Sequence, residues 1–204
     1  SVFFWAGAGS FDRNKFFPFL FRQMHVLPVW RKEEGFKKIA KNKQVFLDAQ
    51  RTLLDGHMFF ITPEGKSSSE KRLMNFKTGT ARLALMTAAH HNFEKDVLIL
   101  PTGVNFTYNK KYRSEVMIQF GEKLNALNYK ELYLQDEREA VRKFTADIKD
   151  AVARNVLLID RVEDDDLIEK LLIVKRTDHF PDDFSYFNKD SSRLNMEKNI
   201  VFFY

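Results

Sequence analysis

A chain of 204 residues can form one domain with a full hydrophobic core, with room for a second small unit at its C-terminal end. The absence of cysteine excludes disulfides and thiolate chemistry and fits a reducing compartment. A net charge of +5 favours anionic partners, namely phosphorylated metabolites, acidic lipid head groups or nucleic acid. No apolar run reaches the roughly 18 residues expected of a transmembrane helix.

The predicted elements begin with strands on either side of an aromatic segment. Residues 1–6, "SVFFWA", predict a buried strand, and residues 25–30, "HVLPVW", predict a second strand that ends at Arg31. Between them, "NKFFPFLFRQM" indicates a short aromatic helix or an interfacial hairpin, since Pro18 limits its regularity. Residues 35–55 then have helical spacing, and their apolar face consists of Phe36, Ile39, Phe46, Ala49 and Leu53.

The alternation of strands and helices continues to about residue 155. "HMFFI" predicts a strand that runs into Thr62, and Thr78 can cap a helix through "ARLALMTAAHH". "VLILP" predicts a buried strand that "VNFTY" continues beyond Pro101, and "EVMIQFG" predicts another strand. Residues 136–155 form an amphipathic helix with Val141, Phe144, Ile148 and Val152 inward. This order predicts an α/β fold with a central mixed, largely parallel sheet flanked by helices.

The character of the sequence changes beyond about residue 160. "RVEDDDLIEKLLIVKRT" predicts a charged helix, and residues 177–195 are polar and look irregular. We therefore predict an α/β domain over residues 1–158 and a helical and irregular extension over residues 159–204.

A proline–glutamate–glycine corner is the strongest local signal for a binding site. Pro63, Glu64 and Gly65 directly follow a predicted strand, and three cations, Lys66, Arg72 and Lys77, are near them in sequence. Cations gathered at one turn favour an anionic ligand, and Gly65 allows a backbone to approach it.

Several other kinds of site are excluded or disfavoured. The pair Gly65-Lys66 is not a nucleotide phosphate loop, because Phe60 stands where that loop needs its first glycine. Asp12 likewise stands where a dinucleotide fingerprint needs its third glycine. The sequence has no His-Glu-x-x-His zinc motif, and its lysines interleave with acids, which disfavours nucleic acid. We predict no metal, no cofactor and no nucleic-acid partner.

Five segments, in order, resemble the glycerolipid acyltransferase family, which includes glycerol-3-phosphate and lysophosphatidate acyltransferases. The family's Phe-Pro-Glu-Gly-Thr-Arg-Ser block resembles residues 61–67, and its Pro-Val-x-Arg block resembles residues 28–31. The family's Lys-x-Gly-x-Ala-Arg-Leu-Ala block resembles residues 77–84. "LILPTGVNFT" and "VMIQFGEKL" resemble its last two segments. The resemblance covers residues 1 to about 155 and carries the same fold expectation.

The resemblance implies which residues bind the acyl acceptor. Arg31, Lys66 and Lys77 would hold its phosphate, although a solvated surface cation is the alternative for each of them. Glu64 would contact the acceptor's hydroxyls or organise the loop, and Gly65 would serve backbone geometry. The chain departs from the family at Thr62, where the family has Phe, and at Lys66, which precedes the family's arginine position. The implied substrate-binding residues are Arg31, Pro63, Glu64, Gly65, Lys66, Ser67 and Lys77.

The family's catalytic block is a His-x-x-x-x-Asp motif that precedes the first strand seen here. We expect this pair upstream of Ser1, and we expect the 204-residue chain to be inactive by itself. His91 and Asp96 have the same spacing, but they join a helix end to a strand start. Ligands of open α/β sheets bind at the carboxyl ends of strands, so we interpret His91 as a helix C-terminal residue.

The aromatic segment has two interpretations. It packs in the core, or part of it forms an interfacial patch in which Phe residues enter lipid while Lys15 and Arg22 meet acidic head groups. The aromatic residues of such a patch would be Phe16, Phe17, Phe19, Phe21 and Trp30. This patch would place the protein at the cytoplasmic face of a membrane, either peripherally or anchored by segments outside this chain.

The function implied by the resemblance is acyl transfer in phospholipid synthesis. The donor would be acyl-CoA or an acyl-carrier-protein thioester, and the acceptor would be a phosphorylated glycerol or a lysophospholipid. The alternative is a non-catalytic acyl-chain or lipid-binding relative that lacks the His-Asp pair.

Overall fold

The computed structural model describes residues 1–10, 16–30, 40–66, 70–107, 116–179 and 192–202. The described strands are β1 Val2–Gly7, β2 Val26–Val29, β3 Met58–Phe60, β4 Leu98–Ile99, β5 Thr102–Phe106, β6 Val116–Phe120 and β7 Leu124–Asn125. The described helices are α1 Phe16–Gln23, α2 Asn42–Leu54, α3 Gly79–His90, α4 Lys130–Gln135, α5 Glu137–Ala153, α6 Asp165–His179 and α7 Ser192–Phe202. Short 3-10 helices lie at Ala8–Ser10, Ala126–Tyr129 and Val162–Asp164. The α/β prediction is confirmed.

The chain divides into two compact units. The first contains residues 1–66, 76–99 and 125–146, and the second contains residues 67–75, 100–124 and 147–204. The predicted domains at 1–158 and 159–204 stay a prediction.

A parallel sheet of three strands organises the first unit. The strand order is β2-β1-β3, and Phe4 on the central strand is in register with Val26 on one side and Phe60 on the other. Because parallel strands run in one direction, their carboxyl ends meet at the same edge of the sheet. Loops that follow β1, β2 and β3 therefore begin together at this edge.

Helices α2 and α3 contribute many of the buried residues of the first unit. Val45 and Ala49 of α2 are buried, and the Trp5 ring of β1 lies 5.0 Å from the Phe46 ring between their centroids. Helix α3 is apolar almost all round, as expected for a buried helix. Its buried residues are Ala81, Leu83, Ala84, Leu85, Thr87 and Ala88.

The prediction that "SVFFWA" is a fully buried strand is wrong for one of its faces. Val2 and Phe4 are each 38% exposed, and Met58 and Phe60 on the neighbouring strand are also exposed. Side chains alternate between the two faces of a strand, so these four residues share one exposed face. Phe3, on the opposite face, stacks between His25 and His57 at centroid distances of 4.6 and 5.6 Å.

The second unit contains an antiparallel ribbon of β5 and β6 that packs on the turn at Asn155. A Cβ on Gly103 would lie 2.0 Å from the Asn155 carbonyl oxygen, so no other residue fits there. The Asn105 side chain donates to that carbonyl at 3.0 Å and accepts from the Leu157 backbone N–H at 2.7 Å. The adjoining core consists of Leu157, Ile159, Ile168, Leu172 and Leu194.

Helices α6 and α7 of the second unit are joined by a buried charged network. Arg176 donates two hydrogen bonds of 2.8 Å to the two Glu197 carboxylate oxygens, and Arg193 donates a third of 3.1 Å. The predicted charged helix is confirmed, but the prediction of irregular structure over 177–195 is wrong where α6 runs to His179 and α7 starts at Ser192. In the part of the chain that the structure describes, no helix is both long and apolar enough to cross a bilayer.

Candidate functional site

The turn after β3 has the geometry that its sequence predicts. The Gly65 N–H donates to the Thr62 carbonyl at 3.2 Å, which closes a four-residue turn with Pro63 in the second position. Gly65 has φ of 68°, a left-handed conformation that favours glycine. Glu64 and Pro63 are half-buried, while Lys66 is exposed. The sequence therefore fixes a tight corner at the carboxyl edge of the sheet with a cation directly beyond it.

Lys77 is brought to the same corner by a backbone hydrogen bond. Its N–H donates to the Pro63 carbonyl at 2.7 Å, and its Cγ lies 3.8 Å from where a Cβ on Gly65 would be. Lys77 is exposed, and within the described residues neither Lys66 nor Lys77 forms an ion pair. Two of the predicted phosphate-binding residues therefore flank one glycine turn, and no carboxylate of the described residues forms an ion pair with either of them.

The N-terminus of α3 follows immediately and adds hydrogen-bond donors. Thr78 occupies the N-cap position as predicted, but its side chain makes no capping hydrogen bond. Two buried side-chain atoms, Trp5 Nε1 and Thr80 Oγ1, have no hydrogen-bond partner among the described residues. The Trp5 ring lies 3.7 Å from where a Cβ on Gly79 would be, so it reaches the first residue of α3. A helix N-terminus with free N–H groups attracts anions.

The end of β2 is held firmly just before Arg31, which itself lies outside the described residues. The Asn42 side chain accepts from the Trp30 N–H at 2.9 Å and donates to the Trp30 carbonyl at 2.8 Å. The Lys41 Nζ lies 5.6 Å from the centre of the Trp30 ring, within the range of a cation–π contact. Ser67 also lies outside the described residues.

Sequence reasoning missed Trp5, Lys41 and Asn42. Asn42 lies inside the predicted helical segment 35–55, whereas in the structure it is the first residue of α2, where an asparagine amide commonly bonds backbone groups. No local pattern signals Trp5, since its contact with the α3 N-terminus joins residues more than 70 positions apart in the chain.

Arg72 does not behave as a ligand-binding cation. It donates to both carboxylate oxygens of Asp165 at 2.8 and 2.6 Å, to Glu70 at 3.2 Å and to the Ile159 carbonyl at 3.3 Å. The hydrogen bond from Arg72 lowers the pKa of the Asp165 carboxyl below its usual value. The prediction that Arg72 belongs with Lys66 and Lys77 is therefore wrong, because its guanidinium is occupied within the second unit.

The His91 and Asp96 pair has no arrangement for catalysis. His91 is the C-cap residue of α3, and its ring contacts the His90 ring at 5.2 Å. Asp96 Oδ1 accepts a hydrogen bond from the Leu127 N–H at 3.2 Å. Among the described residues no hydrogen bond or ion pair joins His91 to Asp96. This geometry supports the interpretation of both as structural residues.

Comparisons with known proteins agree with the sequence blocks. The profile of the family described as Acyltransferase matches residues 1–105. An uncharacterized acyltransferase of Schizosaccharomyces pombe is 31% identical over 110 residues, which are 53% of this chain and 16% of that protein. Glycerol-3-phosphate O-acyltransferase 2 of Saccharomyces cerevisiae is 31% identical over 138 residues, 66% of this chain and 18% of that protein.

The matched region thus spans less than a fifth of each of these two relatives. No solved structure matches the chain significantly. The family profile covers more than half of the 204 residues and contains the Pro-Glu-Gly corner. This chain belongs to the acyltransferase family.

Proposed function

We propose that the protein transfers a fatty acyl group from a thioester donor to a hydroxyl of a phosphorylated glycerol or lysophospholipid. The observation that carries the proposal is the corner itself. Lys66 and Lys77 flank Gly65 beside the N-terminus of α3, and within the described residues no carboxylate pairs with either lysine. A phosphate monoester matches this set of donors, because cations and helix N-termini both favour it.

Acyl transfer needs the acceptor to be held and its hydroxyl to be activated. The acceptor oxygen attacks the thioester carbonyl, its proton passes to a general base, and the thiolate leaves as the ester forms. In this chain the corner would bind the phosphate and so position the hydroxyl, which converts binding energy into orientation. The base would be the His-Asp pair of the family motif, which we place upstream of Ser1.

Glycerol-3-phosphate is the acceptor that we favour. One of the matched relatives is named a glycerol-3-phosphate O-acyltransferase, and the two lysines of the corner match the phosphate of such an acceptor. We propose acyl-CoA or an acyl-carrier-protein thioester as the donor.

The test measures thioester release with glycerol-3-phosphate or lysophosphatidate. It compares the 204-residue chain with a version extended upstream through the His-x-x-x-x-Asp motif. We expect activity in the extended protein and at most a trace in the shorter one, since a general base contributes about 10²- to 10⁴-fold. Full activity in the shorter chain that is abolished by His91→Ala would contradict the proposal. Binding of both substrates without transfer by the extended protein would favour the non-catalytic relative.

We also propose that the protein works at the cytoplasmic face of a membrane. Helix α1 supports this, because Phe19 is 62% exposed next to exposed Arg22, and Met24 just after the helix is exposed as well. Exposed aromatic and basic side chains together favour an anionic lipid surface. Of the other predicted patch residues, Lys15 and the side chains of Phe16 and Phe17 lie outside the described residues.

Sedimentation with anionic liposomes tests the membrane proposal. Phe19→Ser should reduce the bound fraction, and added salt should reduce it further, because charges are screened over about 10 Å at 0.1 M salt. Leu134→Ser is the matched control, since Leu134 is 70% exposed on a different helix. Equal binding of both variants and the parent protein would argue against α1 as a lipid contact.

A further inference from the structure

A cavity of about 490 Å³ lies within the second unit, in residues that the family motifs do not include. Its volume falls in the range of about 300 to 1,000 Å³ that is typical of pockets for small ligands. Six of its lining residues are apolar, and they come from the end of α5, the segment after it, α6 and α7. These residues are Ala153, Val156, Leu158, Ile168, Val201 and Phe202.

The charged groups of the cavity are not equivalent. Arg161 Nε donates to Asp164 Oδ2 at 2.6 Å, so these two charges compensate each other. Asp160 is exposed, and water screens its charge. Lys198 is half-buried, and its charge therefore acts most strongly on the contents of the cavity.

Lys198 lacks an anionic partner among the described residues. Its Nζ donates one hydrogen bond to the Arg154 carbonyl, and an ammonium group has three donors. Burial lowers the pKa of Lys198 below its ordinary value, because the charged form is partly desolvated. A half-buried cation of this kind is stabilised by an anion that enters the cavity.

We propose that this cavity binds a single-chain anionic amphiphile, with its head group on Lys198 and its alkyl chain against the six apolar side chains. A carboxylate and a phosphate both offer anionic oxygens that accept hydrogen bonds from the ammonium group. A fatty acid and a lysophosphatidate-like lipid therefore both have the head group and the single alkyl chain that the cavity needs. The site shares no residue with the Pro-Glu-Gly corner, because every lining residue belongs to the second unit.

The cavity near the buried arginine network is a weaker candidate for such a ligand. It is lined in part by Arg176, Arg193 and Glu197, but its volume is only about 10 Å³. That volume holds about one water molecule. The charges around it are also already paired, so it offers neither the space nor the free donor that Lys198 provides.

Calorimetric titration of the full chain tests the proposal with three probes: dodecanoate, dodecyl phosphate and dodecanol, each below its micelle concentration. Lys198→Gln should weaken the binding of both anions about tenfold, which is the loss expected for one charge-assisted hydrogen bond. The affinity for dodecanol should stay unchanged. Lys170→Gln is the matched control, because Lys170 is an exposed lysine of α6 paired with Asp166. Its binding constants should equal those of the parent protein.

Ala153→Trp places a large ring in the cavity and should weaken the binding of all three probes. Retained dodecanol binding in Lys198→Gln shows that this variant is folded, so loss of the anions alone supports the proposal. The proposal is overturned if no probe binds the parent protein, if Lys198→Gln binds the anions normally, or if Lys170→Gln weakens them equally. A preference for dodecyl phosphate over dodecanoate identifies the phosphate source, and the reverse identifies the fatty acid. None of these readouts depends on acyl transfer.

Discussion

The arginines of the second unit and the lysines of the Pro-Glu-Gly corner in the first unit are used in opposite ways. In the second unit Arg72 and Arg176 each donate at least two hydrogen bonds to a carboxylate, at distances of 2.6 to 2.8 Å. In the first unit Lys66 and Lys77 are exposed beside a glycine turn, and among the described residues no carboxylate pairs with them. A count of positive charges along the sequence therefore does not locate a binding site, because the partner of each charge decides its role.

The use of arginine in the carboxylate pairs and of lysine at the corner fits the properties of the two side chains. The planar guanidinium of arginine matches a carboxylate with two parallel hydrogen bonds, and it tolerates burial better than an ammonium does. The lysines at the corner instead present compact charges on flexible stems. We therefore expect substitutions in the arginine–carboxylate pairs of the second unit to change stability, and substitutions at the corner to change ligand binding.

The largest effect is expected from Glu197→Ala. Glu197 is 2% exposed and receives hydrogen bonds from Arg176 and Arg193, so its removal leaves two buried guanidinium groups without their carboxylate. The loss of one partner of a buried ion pair costs about 3–5 kcal/mol in the free energy of unfolding. Urea unfolding of the parent and variant proteins measures this difference. A loss below about 1 kcal/mol would show that the network is not structural.

The stability that Glu197 contributes depends on pH through the pKa of its carboxyl group. Burial by itself would raise the pKa of Glu197, but hydrogen bonds and charges from Arg176 and then Arg193 outweigh it and hold the pKa below its ordinary value. The ionised network therefore contributes stability above that ordinary value, and the contribution disappears as the pH falls through the lowered pKa. The stability difference between parent and variant should shrink in acid.

Lys77→Gln should have the next largest effect, and on binding only. The variant lacks one charged hydrogen-bond donor to the phosphate, so we expect the affinity for glycerol-3-phosphate to fall by about 10- to 100-fold. The unfolding midpoint should stay the same, because the Lys77 backbone hydrogen bond to Pro63 remains. Lys95→Gln, at another exposed lysine of the first unit, serves as the control in the same titration. Equal affinities of the Lys77→Gln and Lys95→Gln variants for glycerol-3-phosphate would show that Lys77 does not bind the phosphate.

Gly65→Ala separates the geometry of the corner from its charges. Gly65 has φ of 68°, so an alanine there costs about 1–2 kcal/mol of stability. The added Cβ meets Lys77 Cγ at an ordinary 3.8 Å, so the cost is conformational strain and not a clash. Gly9→Ala is the control, since no atom lies within 4 Å of the added Cβ. Chemical denaturation of the three proteins should show a loss for Gly65→Ala alone.

Much of the first unit follows from local patterns. The period of apolar residues predicts the strand–helix order, and the turn preferences of Pro63 and Gly65 predict the corner to the residue. The place of Lys77 near the corner is predicted from its position shortly after Gly65 in the sequence and from the phosphate-binding role that the family resemblance implies. The roles of Arg31 and Ser67 stay predictions, because both residues lie outside the described parts of the chain.

What the sequence did not predict depends on long-range contacts. Arg72 and Asp165 are 93 residues apart, and no local pattern pairs them. The same limit explains the exposed face of β1, because an apolar run is compatible with a strand buried on one face or on both. Helix α7 was missed as well, since its buried residues Arg193 and Glu197 are polar and read as loop in the sequence.

The smallest effect is expected from Arg72→Gln, and it decides whether Arg72 is a structural cation. Its pair with Asp165 is partly exposed, at 21% and 34% of the two side chains, so a loss of about 2–4 °C in the Tm is expected at neutral pH. Because the hydrogen bond from Arg72 lowers the pKa of Asp165, the pair stabilises the fold above the ordinary value of 3.8 and loses this contribution as the pH falls through the lowered pKa. The difference in Tm should therefore close in acid. Lys170→Gln, which breaks a pair with Asp166 whose side chains are 69% and 83% exposed, should change the Tm less at every pH. If Arg72→Gln instead left the Tm unchanged and weakened the binding of glycerol-3-phosphate as much as Lys77→Gln does, Arg72 would belong with the corner. The contrast between the paired arginines and the corner lysines would then fail.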